Sequence, residues 1–248
     1  MISVVICSVN QTLFNRVKYM YGQLLAGTQH EIIGIHDATG LAEGYIRGAA
    51  KSKGEWIIFS HDDVQFGAPD FLQRLHGHME QCDVLGVAGT RRVTDAKWIA
   101  SGMPFAYGQV ATPDPSDGMI GVIIWSVPGR HVAHMQALDG VFLCVRRTVL
   151  ETVQFDANTF KGFHLYDLDF TFRAHLAGYR LAVATDLCTV HDSPGKPDAA
   201  WEADAQKFRT KFAALLAPPI VHSTNFCVVK VKSVENMVAV MTPPHWTD

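Results

Sequence analysis

The sequence predicts an α/β fold: a Rossmann-like, mostly parallel sheet flanked by helices, with a small C-terminal extension made of a helix and a hairpin. Three observations predict it. The first sixty residues alternate short apolar runs with segments of helical period, which is the pattern of strand–helix–strand crossovers. The run Trp56-Ile57-Ile58-Phe59 is continuously apolar, as a strand buried on both faces should be, and it ends abruptly in Ser60-His61-Asp62-Asp63. Finally, 48% of the 248 residues are hydrophobic and 18% charged, enough to build a sizeable core and too apolar for disorder.

Taken in order, Ile2 to Val9 is rich in β-branched residues and reads as a strand running into a polar loop. Phe14, Val17, Met20, Tyr21, Leu24 and Leu25 share one face of a helix. Glu31 to His36 is a second strand with Asp37 at its mouth, and Leu41 to Lys51 a second helix. Pro69-Asp70 opens a helix whose apolar side is Phe71, Leu72, Leu75 and Met79. On it His76 and His78, two apart, are expected at the surface. Val84 to Ala88 is a short strand, and Ile120 to Val127 another that contains Trp125. Between and beyond them, residues 90–136 carry clusters of Gly, Pro, Asp and Ser. Such irregular stretches often form substrate-binding loops. His131 and His134 follow Pro128-Gly129 and are expected in a loop, without a third partner that would make them metal ligands.

Asp139-Gly140 turns into a strand, and Thr148-Val149-Leu150 begins a short helix. Leu165 to Ala177 is a helix with the stripe Leu165, Leu168, Phe172, Leu176, stopped by Gly178. Tyr179 to Ala184 and Leu187 to Val190 are strand-like, the second leading into His191. Trp201, Phe208, Phe212, Leu215 and Leu216 mark a last amphipathic helix ended by Pro218-Pro219. Two apolar runs, Cys227–Lys232 and Met237–Met241, read as a hairpin. Residues 1–192 are thus expected to form one domain and 193–248 an extension packed on it. The hairpin's edge would be the place for a homodimer, although Lys230 and Lys232 are residues that keep an edge solitary.

A net charge of -3 without a basic run argues against a nucleic-acid partner. Five cysteines, an odd number without CxxC, are expected as reduced thiols in a cytoplasmic protein. The opening residues read as a first strand and not a signal peptide, and no run has the length of a membrane span, which leaves room for peripheral membrane association. Neither GxGxxG after the first strand nor GxxxxGK[ST] is present, against dinucleotide and P-loop sites.

What remains is a set of carboxylates and a histidine at the ends of strands and helices: Asp37, Asp62, Asp63, Asp139, Asp167 and His191. Ligands bind at the carboxyl ends of strands in open α/β sheets. Adjacent carboxylates such as Asp62 and Asp63 repel unless a cation lies between them, and a divalent metal would answer that and attract an anionic substrate. A solvated Asp-Asp turn is the plain alternative.

The order and surroundings of these residues resemble the GT-A type glycosyltransferases, in particular the large family-two group that uses nucleotide-diphosphate sugars. The resemblance spans about residues 2–192. It rests on Ser3-Val4-Val5-Ile6-Cys7-Ser8-Val9-Asn10, on Ala49–Phe59, on Leu138-Asp139-Gly140-Val141-Phe142-Leu143, and on Tyr166-Asp167-Leu168-Asp169-Phe170 followed by Ala177-Gly178-Tyr179-Arg180-Leu181. It implies a metal-dependent, inverting transfer of a sugar from a nucleoside-diphosphate donor to an acceptor hydroxyl, in polysaccharide or glycoconjugate synthesis. Asp63 and His191 would hold the metal, Mn²⁺ in preference to Mg²⁺. Asp62 would be a secondary contact and His61 would shape the turn. Ser8, Asn10, Asp37, Asp62, Asp139 and Gly140 would bind the donor. Asp167 would be the general base, with Asp169 the rival for that role, although Asp169 can pair with Arg173 at i,i+4. His191 read alone is a loop histidine, and Asp37 read alone is a turn residue. Tyr166 stands where that family usually has Glu, and Ile46 where Asn is common. A sugar nucleotidyltransferase would need a glycine-rich basic loop after the first strand, which Ser8–Thr12 lacks. A non-catalytic binder of sugar nucleotides is the other alternative.

Overall fold

The computed structural model describes residues 1–193, 195, 197–219 and 226–244. A seven-stranded sheet forms the centre, in the order β2-β1-β3-β11-β5-β12-β9. Its strands are β1 (Ile2–Cys7), β2 (His30–Ile35), β3 (Trp56–Ser60), β5 (Val84–Gly86), β9 (His131–Ala133), β11 (Phe142–Arg146) and β12 (Leu181–Ala184). Alternate residues of β1 and β3 face opposite layers. Val4, Ile6 and Ile58 pack with Phe14, Val17 and Tyr21 of α1 (Gln11–Leu24) and Phe71 and Leu75 of α3 (Phe71–Met79). Val5, Ile57 and Phe59 pack with Tyr45 of α2 (Leu41–Lys51), Val149 of α4 (Arg147–Thr152) and Phe170 of α5 (Tyr166–Leu176). Both faces are covered, which is why the runs read as continuously apolar.

The expected class holds, but the sheet is mixed and not mostly parallel. β2, β1 and β3 are parallel, as are β5 and β12, while β11 runs antiparallel to both β3 and β5, and β9 antiparallel to β12. The reversal has a functional consequence. Because β11 begins where β3 ends (Phe142 faces Ser60), the Asp139-Gly140 turn is brought beside His61–Asp63, and the His61 amide donates to the Val141 carbonyl at 3.3 Å.

A second sheet runs β10-β6-β7-β13-β4, with β8 beside β7 and β14 beside β8. It comprises β4 (Val64–Phe66), β6 (Ala88–Thr90), β7 (Ala106–Asp114), β8 (Met119–Ile124), β10 (Ala137–Leu138), β13 (Thr189–His191) and β14 (Cys227–Val231). The expected strand over Val84–Ala88 is divided between the two sheets as β5 and β6. The register of β13 against β4 sets His191 opposite Val64, next to Asp63, and the Asp192 amide donates to the Asp63 carbonyl at 3.0 Å.

Five further expectations are corrected. The tail is no hairpin: β14 pairs antiparallel with β8, and α7 (Val234–Met241) replaces the second strand. Ser233 caps it by accepting from the Asn236 amide at 3.3 Å, and Met237 and Met241, one turn apart, are both buried. A five-residue apolar run is ambiguous between the two periods, and the cap decides it. His131 lies in β9 and not a loop, and His78 is buried, 5% exposed. Trp125 lies just beyond β8. Leu176 leaves the expected stripe of α5 and is exposed. Gly178 does adopt the left-handed conformation (φ 90°) that ends this helix. Finally, α6 (Ala199–Lys211) and the Phe212 that follows it bury Ala205, Phe208 and Phe212 against Leu168 and Phe172 of α5. Among the described residues no helix is long and apolar enough to cross a membrane.

Candidate functional site

The carboxyl end of β3 supplies two side chains to one point. His61 and Asp63 flank Asp62 in the turn that joins β3 to β4, and the turn brings their side chains together. His191 meets them from β13. His191 Nε2 lies 3.3 Å from Asp63 Oδ1, His61 Nδ1 lies 3.4 Å from His191 Nε2, and His61 Nδ1 lies 3.9 Å from Asp63 Oδ1. Two ligands each about 2.1 Å from a common ion stand about 3.0 Å apart at a right angle and about 3.4 Å apart at the tetrahedral angle. The three atoms therefore fit one divalent cation with positions left open. Among the described residues they form the one such group of three. His61 was expected only to shape the turn. Its place in the same polar cluster as Asp63, at the end of the buried strand, is the signal that could have placed it here.

The electrostatics agree with this geometry. Burial pushes the Asp63 carboxyl upward, but hydrogen bonds from His191 and Ser193 outweigh it and hold Asp63 well below the usual carboxylate range. Burial lowers His191, and Asp63 more than reverses that, so the imidazole ends above its ordinary value. His61 is lowered by burial and by its neighbour His191. A carboxylate kept ionised between two imidazoles is a ready cation site.

Asp62 points elsewhere. Its Oδ2 accepts from Ser8 Oγ, and the Ser8 carbonyl meets His36 Nδ1 at 2.8 Å. Ser8 and Asp62 are thus together at the ends of β1 and β3. The Asn10 side chain is engaged as the cap of α1, accepting from the amides of Thr12 (3.0 Å) and Leu13 (3.2 Å). Asp37 lies at the end of β2 with its side chain 78% exposed and paired to Arg47, whose hydrogen bond lowers its pKa.

On the other side of the triad, the Asp139-Gly140 turn meets the first turn of α5. The Gly140 amide donates to Asp167 Oδ2 at 2.7 Å. Only glycine fits there, since a Cβ would lie 2.4 Å from the Tyr166 hydroxyl and 2.6 Å from Asp167 Cβ. Asp139 accepts from Trp98 Nε1 at 2.8 Å and from the Val141 amide at 3.0 Å. Burial, then the charge of Asp139, raise the Asp167 carboxyl to about 7. Asp169 has a different environment. It is fully buried, bonded to Arg173 at 2.6 and 2.8 Å, with Lys211 at 2.6 Å from its other oxygen.

His61, His191, Asp139 and Asp167 line one cavity of about 400 Å³, walled by Trp98 and Trp125 among others. These two rings meet edge to face, 4.8 Å between centroids. Trp98 was not singled out from sequence, and Trp125 was noted only as part of an expected strand, because the irregular stretch gives no periodicity that would place either in the cavity.

Comparison with known proteins bears on this cavity. The family model described as "Glycosyltransferase like family" matches residues 3–212. No curated protein sequence matches the chain. Among solved structures, that of S. aureus TarS 1-349 in complex with UDP is similar over 97% of this chain and 70% of its own, at 11% identity and a TM-score of 0.50. At that identity the likeness concerns the fold. A second structure of TarS 1-349 gives 12% identity over the same shares with a TM-score of 0.49, and A197 from STIV gives 11% identity over 79% of this chain and 96% of its own, with a TM-score of 0.41.

Proposed function

The chain belongs to the glycosyltransferase-like family, and from that premise we propose that it is an inverting, metal-dependent enzyme that moves a sugar from a nucleoside diphosphate to an acceptor hydroxyl. The observation that carries the reading is the common cavity, lined both by His61 and His191 of the convergent triad and by a carboxyl raised to about 7, Asp167. Asp63, His191 and His61 would hold the ion, and two imidazoles beside one carboxylate favour Mn²⁺ over Mg²⁺. Bound there, it would supply Lewis-acid stabilisation to the departing diphosphate.

The chain's own residues divide the remaining work. Asp167 is the general base. Its carboxyl is half ionised near neutral pH, strong enough to take a proton from a hydroxyl that becomes acidic as it attacks. The Gly140 amide fixes one of its oxygens. Asp169, neutralised by Arg173 and Lys211, is a structural residue. Ser8 and Asp62 would meet the nucleotide, with Asp37 the outer contact. Along the cavity lining His61 contacts Tyr166, Tyr166 contacts Gly140, and Trp98 contacts Asp139. Diphosphate at the triad therefore leaves the aromatic end to the acceptor, and the indole faces suit the C–H face of a sugar ring, consistent with polysaccharide or glycoconjugate synthesis. One base and one displacement predict inversion at the anomeric carbon. The cysteines, all free, suit a cytoplasmic enzyme.

UDP, carried by the TarS structure, is the first nucleotide to try. The expected result is a rise in melting temperature with UDP or another nucleoside diphosphate, larger when Mn²⁺ is added. No stabilisation by any nucleoside diphosphate, with or without Mn²⁺, overturns the reading. Stabilisation without turnover on any donor would instead favour a non-catalytic binder.

A further inference from the structure

Tyr166 is buried, and its hydroxyl contacts His61 Nε2 at 2.9 Å and the Gly140 carbonyl at 3.3 Å, with the Tyr45 hydroxyl close by. The carbonyl can only accept. Sending the phenolic proton to Gly140 leaves the phenol oxygen to accept from His61 Nε2–H. That arrangement selects one tautomer of His61. With the proton on Nε2, the Nδ1 lone pair is free and faces Asp63 Oδ1 and His191 Nε2. With the opposite tautomer an N–H would stand where a cation must bind.

We propose that Tyr166 is a positioning residue for the His61–Asp63–His191 cluster, its hydroxyl holding His61 in the tautomer whose Nδ1 can take a first-row divalent cation. The inference rests on the metal reading above and goes beyond it. A histidine ligand ordinarily gives its second N–H to a carboxylate, a backbone carbonyl or water. Here the acceptor is a phenol from the first turn of α5, one residue before Asp167. Gly140 joins the two: its carbonyl receives Tyr166 and its amide holds Asp167. The ring cannot swing away, because Tyr45 packs edge-on at 5.6 Å and Phe155 tilts against it at 6.3 Å.

The test has two parts, neither of which needs turnover. Affinities for Co²⁺ (by absorption) and Mn²⁺ (by calorimetry) are measured on the wild type, Tyr166→Phe, His61→Ala and the double variant. Tyr166→Phe keeps the ring and its packing. It is expected to weaken both ions about 10- to 100-fold, and to change affinity less than about twofold once His61 is already alanine, because coupled residues are non-additive. A loss of equal size in the His61→Ala background, or no loss in Tyr166→Phe alone, overturns the proposal. The second part reads the tautomer directly from the ¹⁵N shifts of His61 in the metal-free wild type above neutral pH. A protonated Nε2 supports the proposal; a protonated Nδ1 overturns it without recourse to any variant. A wild type that binds neither ion sinks the metal reading and this inference with it, whereas a wild type that binds while Tyr166→Phe is unaffected sinks this inference alone.

Discussion

Among the described residues, two clusters of two histidines and one aspartate are built differently. In the first, His61, Asp63 and His191 converge, with three ligand atoms facing one another and both histidines lining the cavity. In the second, His78, His131 and Asp186 form a line. His78 Nε2 meets Asp186 Oδ1 at 2.7 Å, and its Nδ1 meets His131 Nδ1 at 3.0 Å. Both nitrogens of the central ring are occupied, the two rings stack with an interplanar angle of 18°, and Asp186 is 2% exposed with Arg74 3.7 Å from its second oxygen. The same three residue types give a candidate cation site when their lone pairs meet and a structural relay when one ring stands between the others. Composition does not distinguish them; the direction of the lone pairs does.

The sharpest way to break this comparison is to remove each aspartate. Asp63→Ala is expected to abolish Mn²⁺ binding and to lower transfer by about 10³-fold or more, since an electrostatic stabiliser of the reaction is lost, and to lower stability too, since Asp63 is held ionised by His191 and Ser193. Asp186→Ala is expected to leave Mn²⁺ affinity unchanged and to destabilise the fold by about 3–5 kcal/mol, because it strands buried partners. Calorimetry and chemical denaturation on both variants decide the matter. An Asp186→Ala protein that loses the metal would show the two clusters to be one system.

Asp167 offers the next effect. Asp167→Asn is expected to lower kcat by about 10²- to 10⁴-fold, and the wild-type rate should rise with pH through about 7 as the carboxyl ionises. Stability gives an independent check. The folded pKa is raised, so the contribution of Asp167 is intact below the unfolded value of about 3.9 and is lost as pH rises through about 7. Asn, which never ionises, should therefore raise the melting temperature above pH 7 relative to wild type, and the gain should shrink on acidification. An Asp167→Asn protein with wild-type kcat would return Asp169 to candidacy, despite its pairing with Arg173 and Lys211.

A smaller effect separates the nucleotide contacts. Asp37→Ala removes only an exposed pair with Arg47, of a kind that contributes little, so the melting temperature should hold. If Asp37 reaches the nucleotide, UDP affinity falls about tenfold, the size of one charged hydrogen bond. Unchanged affinity by calorimetry would make Asp37 a turn residue and leave that role to Ser8 and Asp62.

These outcomes bear on what could be read before the fold was seen. β1, β3 and α5 were legible because local periodicity and Gly178 specify them. The Asp167–Asp139 neighbourhood was legible in membership only: the turn was evident, but not that β11 inserts antiparallel against β3 and carries it to the triad. His191 depends on the register of β13 with β4, a pairing across more than a hundred residues. His61 was within reach only as a member of the polar cluster that ends β3, because the turn through Asp62 and Asp63 is what points it at Asp63. His78 was not, since its partner Asp186 lies 108 positions away and nothing local marks a helical histidine as buried. The tail failed for another reason: Met237–Met241 suits either period, and Ser233 settled the choice.

The last and smallest test returns to the two clusters through pH. In the convergent cluster His191 is raised, because Asp63 outweighs burial. In the linear cluster His131 is lowered to about 4, by burial first and then by His78, with Asp186 opposing. The signs of the two contributions are opposite. A raised imidazole adds stability that is present below its unfolded value of about 6.5 and is lost as pH rises through the folded one. A depressed imidazole adds stability that is present above 6.5 and is lost as pH falls to about 4, because the unfolded chain takes up the proton first. Denaturation curves of the metal-free protein between pH 7 and 4 should therefore fall more steeply for wild type than for His131→Gln. Part of His131 is open to solvent, so the difference in slope is expected to be modest. Identical slopes would mean that His131 titrates as a free imidazole, and the stacked pair would then be a contact without electrostatic consequence.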